Sequence, residues 1–379
     1  MAEKKESKAV RGLEGIIAAD TRIGYVDGEN GKLYYAGYDI DDLAENCTYE
    51  EVLYLLWNDG LPKKTDADNL RGQLINEMKI PGPMVDWFKR LPADVHPMVV
   101  LRSAVSDLAL YDEDAEDNSE EANRKKAVRL VAGISMIIAA YHNLPNGKEL
   151  IDPDPTKTFA ENFLRIFLGR DINENEAKAI ELMYVLHADH GFNASTFSAR
   201  VTASTLADIY AAITSAIATL KGPLHGGANQ RVMEMLTDIG EPGDVDEYIE
   251  GMLARKERIM GFGHRVYKVE DPRAKHLREA SSKLCEKDKG CLYYDMSEKI
   301  ENKVTGDKGI YPNVDFYSAT VQHALGIPVK FYTTLFAASR IAGWSAHVLE
   351  QHADNRLMRP RSHFTGTYPR KFVPLSDRG

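Results

Sequence analysis

The stretch ADIYAAITSAIATLKGPLHGGANQ, Ala207 to Gln230, decides the fold class. Its first half repeats apolar side chains at helical spacing and stops at Gly222-Pro223, as a helix C-terminus should. After a short Gly-rich interval, Val232, Met233, Leu236 and Ile239 form a second helical stripe, closed by Gly240 and Pro242. Between the two helices stands a single imidazole, His225. The same break makes Gly222-Pro223 a natural domain boundary.

Working outward, helical spacing dominates. YEEVLYLLWNDGLP runs from Tyr49 to a stop at Gly60 and Pro62. EAKAIELMYVLHADHG, VDEYIEGMLARKERIMG and DPRAKHLREASSKLCEKDKG are bounded in the same way. The exception is TRIGYVDGENGKLYYAGYDI, which alternates about Asp27-Gly28 and Asn30-Gly31 and predicts a small N-terminal β-hairpin. No β-α alternation is visible, so the fold is expected to be mainly α. Ala203–Leu220 and Phe331–His347 are rich in small residues that let helix axes approach closely, which predicts core helices ahead of a subunit interface. The charge run YDEDAEDNSEEANRKK, from Tyr111, reads as a solvated interhelical loop.

The chain has 379 residues, enough for two domains or one large domain with a smaller one attached. Its net charge of -10 argues against a nucleic-acid or anionic-membrane partner. An anionic small substrate would need a local cluster of arginines against that field. Three cysteines, Cys47, Cys285 and Cys291, show no CxxC pair and no disulfide framework, which fits a reducing cytoplasm. MAEKKESKAV has no apolar region of the kind a signal peptide needs. The longest apolar run, Leu130–Tyr141, is shorter than the roughly twenty residues of a membrane span.

Four segments can carry chemistry. His225 precedes a helix N-terminus, whose dipole disfavours imidazolium; the ring should stay neutral and offer an N–H to an oxygen gaining charge, or else simply be hydrogen-bonded in a turn. GFGHRVYK supplies His264; Gly261 and Gly263 lack the third glycine and the preceding strand of a dinucleotide loop, and instead let backbone approach a ligand. In EDPRAKHL, Asp271 is an N-cap and Pro272 the first helical residue, so Arg273 lies against the helix dipole. Either an anionic ligand or the neighbouring Asp271 and Glu270 would compensate it. In YPNVDFYSA, Asp315 follows the N-cap Asn313 and either serves the dipole or, desolvated by Phe316 and Tyr317, becomes a usable base.

HADHGFNAST places His187 and His190 three apart and on one helical face. No HExxH and no Cys or carboxylate cluster completes a metal set, and no metal is expected. The G-x-S-x-G and P-loop motifs are absent as well.

Together and in order, HADHGFNAST, GPLHGGAN, GFGHRVYK with DPRA, PNVDFYSA and RLMRPR resemble the citrate synthase family, in its short archaeal and bacterial form, over essentially the whole chain. The long amino-terminal extension of the NADH-inhibited hexameric form is missing. The resemblance implies a large helical domain (1–221 and 325–379) that forms a homodimer and a small mobile domain (222–324). It implies condensation of acetyl-CoA with oxaloacetate, with 2-methylcitrate formation from propionyl-CoA as the alternative and a CoA thioesterase as a more distant one. Asp315 matches the base that deprotonates the acetyl methyl, His225 the donor to the thioester oxygen, and His264 the residue polarising the oxaloacetate carbonyl. His190, Arg273, Arg340 and Arg359 match oxaloacetate ligands, the last lent by the neighbouring subunit. Lys268 matches a contact to coenzyme A phosphates, beside Gly261, Phe262 and Gly263. No permanently bound cofactor is implied.

Overall fold

A computed structural model describes residues 10–285 and 291–378. Near its N-terminal end the strands β1 (Gly24–Asp27), β2 (Lys32–Tyr35) and β3 (Tyr38–Asp39) form one antiparallel sheet in chain order, pairing Gly24 with Tyr35 and Asp27 with Lys32. The Asp27 carboxylate closes the turn by accepting the N–H groups of Glu29 and Asn30 and the Asn30 side chain. The short third strand extends the expected hairpin.

Helices follow. The first ten are α1 (Ile40–Asn46), α2 (Tyr49–Asn58), α3 (Lys64–Asn76), α4 (Gly82–Arg90), α5 (Pro97–Leu108), α6 (Glu120–Asn143), α7 (Phe159–Leu168), α8 (Glu174–His187), α9 (Ala194–Ala203) and α10 (Ile209–Leu220). Then come α11 (Ala228–Ile239), α12 (Val245–Ala254), α13 (Pro272–Leu284), α14 (Leu292–Lys308), α15 (Val314–Ala324) and α16 (Tyr332–Ala353). Reciprocal capping boxes start α2 (Thr48 with Glu51), α7 (Thr158 with Glu161) and α8 (Asn173 with Glu176). Each such cap stabilises its helix by about 1 kcal/mol.

The centre of the molecule is α16. Every residue from Tyr332 to Val348 is buried, and the helix packs on α2, α6, α8, α9 and α10. Its small residues make that crowding possible, in keeping with a core helix. The α11 stripe is fully internal, with Val232, Met233, Leu236 and Ile239 all buried. Helices α11 to α15 pack on one another, chiefly α13 and α11 on α15 and α12 on α14. They meet the rest of the molecule through α13 on α8 and α1, and α11 on α16.

The structure corrects several expectations. Ala203–Leu220 is not one helix: the chain breaks at 204–208, where Leu206 takes a left-handed φ of 64° and Asp208 caps α10 through the Ala211 N–H. KERIM is not helical either, because Lys256 turns left-handed (φ 57°) just past the end of α12. At the end of α2 the left-handed residue is Asp59, ahead of Gly60. His190 lies beyond the last turn of α8, so it shares no helical face with His187.

Cys285 and Cys291 lie side by side with Cα atoms 5.4 Å apart, within the reach of a disulfide. The expected helix stop at Gly290, between them, lies outside the described residues. Segment Glu120–Asn146 is long and apolar enough to cross a membrane, but 89% of its apolar window is buried inside the fold, as a core helix requires.

Candidate active site

Three helix ends and two turns converge where α8, α13, α15 and α16 meet. Asp271 caps α13 and grips Arg273 in a fork, 2.9 Å from Nε and 2.8 Å from Nη2. The same carboxylate accepts the Val314 N–H at 3.1 Å, which ties the start of α13 to the start of α15. Of the compensations the sequence left open for Arg273, the structure supplies the Asp271 carboxylate, and the guanidinium is almost wholly buried beside it.

Asp315 follows. Asn313 caps α15 by accepting the Asp315 N–H at 2.9 Å, as its position in the sequence suggests. Burial pushes the Asp315 carboxyl up to about 6; the Asp271 anion adds to this, while Arg273 and Arg340 oppose it. A carboxylate so tuned is half-ionised near pH 6 and mostly ionised at pH 7, close enough to the operating pH to suit a general base.

Arg340, on α16, is 1% exposed and donates its Nε–H to the His187 carbonyl at 2.6 Å. Burial, with help from Arg273, lowers it to about 10 against the pull of Asp189, Tyr35 and Asp315. The buried Asp189 is its counterweight. Burial favours the neutral Asp189 acid, but His347, Arg340 and the Gly191 N–H outweigh it and leave the group below its usual value. Asp189 is enclosed so tightly that a Cβ on Gly24 or on Gly343 would come within 2.4 Å of its oxygens. Tyr35 donates to the Asp189 carbonyl at 2.8 Å, fixing the turn that presents His190.

The three site histidines are all depressed, chiefly by burial. His225 is lowered to about 4, with Arg340 the second cause. His264 is also lowered to about 4, next by Arg273 and against Asp271. His190 is held well below its usual value by burial, Arg273, His264 and Arg340. All three are neutral at pH 7.

Their tautomers follow from their partners. Val266 and Tyr267 donate backbone N–H groups to His264 Nδ1 at 3.0 and 3.1 Å; a backbone N–H can only donate, so the ring proton is on Nε2. His225 Nε2 accepts from the Ser195 N–H at 3.3 Å and lies 2.8 Å from Ser195 Oγ, which leaves its proton on Nδ1. Ser195 is in turn held by Asn193 at 2.7 Å and by the Trp344 indole N–H at 3.1 Å. His190 Nε2 lies 3.1 Å from the Tyr267 hydroxyl, and the His190 and His264 rings meet edge to face at 5.2 Å.

A strap links His264 to α15. Phe262 and Pro312 form an isolated bridge, Gly263 N–H donates to the Tyr311 carbonyl at 2.9 Å, and Asn313 N–H donates to the Gly261 carbonyl at 2.8 Å. Gly261 must be glycine: its φ is 80°, and a Cβ would lie 2.8 Å from Phe316 and Val232. Phe262 turns its ring into the core against Phe316, 4.6 Å between centroids, so only its backbone remains for a ligand.

Two expected site residues stand apart. Lys268 is exposed and ion-paired with Glu29 of the β1–β2 turn. Arg359 is exposed on the extended tail, whose Met358 N–H reaches Ser204 at the far end of α9. That is about 15 Å of helix from the Asn193 end. Sequence reading did not single out Ser195, Trp344, Asp189, Tyr267 or Tyr35. No local signal marks them, because each reaches the site from a different element.

Comparison with known proteins identifies the family and the fold. The family model described as citrate synthase, C-terminal domain, matches residues 12–361. Citrate synthase 2 of Bacillus subtilis is 48% identical, the match covering 98% of this chain and 99% of that protein. The citrate/2-methylcitrate synthase of the same organism is 41% identical, over 94% of this chain and 96% of that protein. Among solved structures, the ternary complex of carboxymethyl coenzyme A and oxaloacetate with the citrate synthase of Thermoplasma acidophilum has a TM-score of 0.90. It is 34% identical and covers 98% of this chain and all of that one.

Proposed function

The chain belongs to the citrate synthase family, and from that premise we propose that it condenses acetyl-CoA with oxaloacetate and water to citrate and coenzyme A. The observation that carries the mechanism is geometric: backbone N–H groups occupy Nδ1 of His264 and Nε2 of His225, so each ring keeps its other nitrogen as a donor, while Asp271 ties Arg273 to the start of the helix that bears Asp315. Asp315 removes a proton from the acetyl methyl group. His225 donates from Nδ1 to the thioester oxygen as it becomes an enol or enolate, the paired base and donor that a weakly acidic C–H requires. His264 donates from Nε2 to the oxaloacetate carbonyl while the new carbon–carbon bond forms. Arg273, Arg340 and His190 bind the substrate's carboxylate and keto oxygens, and water then hydrolyses the citryl thioester.

The segment 222–324 carries His225, His264, Arg273 and Asp315, so its closure onto oxaloacetate would exclude solvent from the enolate. Arg359, exposed in this chain, would complete the site of a second copy, and Lys268 would meet the phosphates of coenzyme A. A second reading, 2-methylcitrate synthesis, draws on the bifunctional relative. One methylene changes discrimination by only about 1–3 kcal/mol.

The test is free-thiol release from acetyl-CoA and from propionyl-CoA, each with and without oxaloacetate. Release that depends on oxaloacetate supports the condensation, and the ratio of kcat/KM values ranks the acyl groups. Release independent of oxaloacetate would replace it with a thioesterase.

A further inference from the structure

The β1–β2 turn lies against the loop that carries His264, and the contact is made peptide by peptide. The Val266 carbonyl faces Gly28 so closely that a Cβ there would sit 2.2 Å from its oxygen. That carbonyl shares a peptide plane with the Tyr267 N–H, which points the opposite way and donates to His264 Nδ1 at 3.1 Å. One residue further on, the Lys268 N–H returns to the Gly28 carbonyl at 2.9 Å. Gly31 repeats the close approach, its missing Cβ falling 2.7 Å from Val269 and 3.0 Å from the Glu270 carbonyl. The turn is itself held by the Asp27 carboxylate, through Glu29 N–H at 3.2 Å and Asn30 N–H at 3.0 Å.

We propose that the Asp27–Gly31 turn is a positioning element for His264: seating the Val266–Tyr267 peptide on a side-chain-free Gly28 keeps the Tyr267 N–H on Nδ1, beside that of Val266, and the ring proton on Nε2. Gly28 acts through that peptide and touches no substrate. Moving the peptide outward would tilt the Tyr267 N–H away from the imidazole, and the proton could then populate Nδ1. The ring would present a lone pair where the reaction needs a donor. This rests on the role given to His264 above, but the tautomer can be read without substrate.

The test is Gly28→Ala in the full-length protein. Histidine-specific 15N NMR of the wild type should show His264 with an acceptor-type Nδ1 and a protonated Nε2, assigned by loss of the signals in His264→Gln. In Gly28→Ala the two resonances should move toward each other, and kcat for oxaloacetate-dependent thiol release should fall about 10–100-fold, as a displacement on the ångström scale does. If Gly28→Ala does not fold, Asp27→Ala releases the turn without adding an atom and should move the same signals and kcat in the same direction. Asp27→Asn, which keeps the acceptor, should restore both.

A folded Gly28→Ala, or a folded Asp27→Ala, with wild-type kcat and unmoved His264 resonances would overturn the proposal. A wild type that releases no thiol with oxaloacetate would instead remove the condensation reading and leave the tautomer result standing.

Discussion

The Asp271 carboxylate and the Arg273 guanidinium, two residues apart, meet through two parallel hydrogen bonds with both side chains almost wholly buried. The pair fixes the guanidinium plane in advance of any ligand, and the bond from Val314 N–H passes that order to the helix bearing Asp315.

Removing one partner of a buried pair leaves an uncompensated charge. Asp271→Ala should therefore destabilise the fold by about 3–5 kcal/mol, read from the denaturant midpoint, since it deletes the cap of α13 as well. Asp271→Asn retains the cap acceptor and should cost less, while raising the KM for oxaloacetate. A midpoint unchanged in Asp271→Ala would show that the pair is not coupled to folding.

Asp315 must be ionised to take a proton, and its carboxyl is raised to about 6. Activity should fall as pH drops through about 6, with no second limb from His225 or His264, both neutral until about 4. The linkage has the opposite sign for stability. The native state binds the extra proton between the ordinary carboxyl range and 6, so ionising Asp315 weakens the fold as pH rises through that window. Asp315→Asn should lose about 10²–10⁴ in kcat and yet unfold no earlier at pH 8. An early midpoint would mean that the carboxylate is structural.

Lys268 and Glu29 form an exposed pair. If coenzyme A phosphate is to meet Lys268, it must first displace Glu29. Glu29→Gln should lower the KM for acetyl-CoA by up to about fivefold at low salt, the range of a surface ion pair, and Lys268→Ala should raise it. No change in either variant would take Lys268 out of the coenzyme A site.

Away from the site, Glu181 lies half-buried near the fully buried Glu50, accepting from the Tyr49 N–H and, at 2.7 Å, from the Thr158 hydroxyl. Burial first, then the Glu50 anion, raises it to about 8. The native protein holds this proton where the unfolded chain has lost it, so stability should decline as pH rises toward about 8. Glu181→Gln should flatten that decline in thermal unfolding followed from pH 6 to 9, and an unaltered slope would show Glu181 already ionised.

Much of this protein was legible before any fold was known. The caps at Asn313 and Asp271, the stripe of α11, the hairpin about Asp27-Gly28 and the burial of the small-residue helix α16 all follow from periodicity and capping, which are settled within a turn of chain. Where local signals were weak, they misled: the break at 204–208 and the end of α12 turn on left-handed residues, Leu206 and Lys256, whose side chains do not announce them. Tertiary structure alone decided that Ser195 and Trp344 set the proton of His225, that Asp189 underlies Arg340, and that Glu29 occupies Lys268. These partners lie from 30 to 239 residues apart, and only the packing of helices determines which side chains lose water together and therefore which charges and tautomers persist.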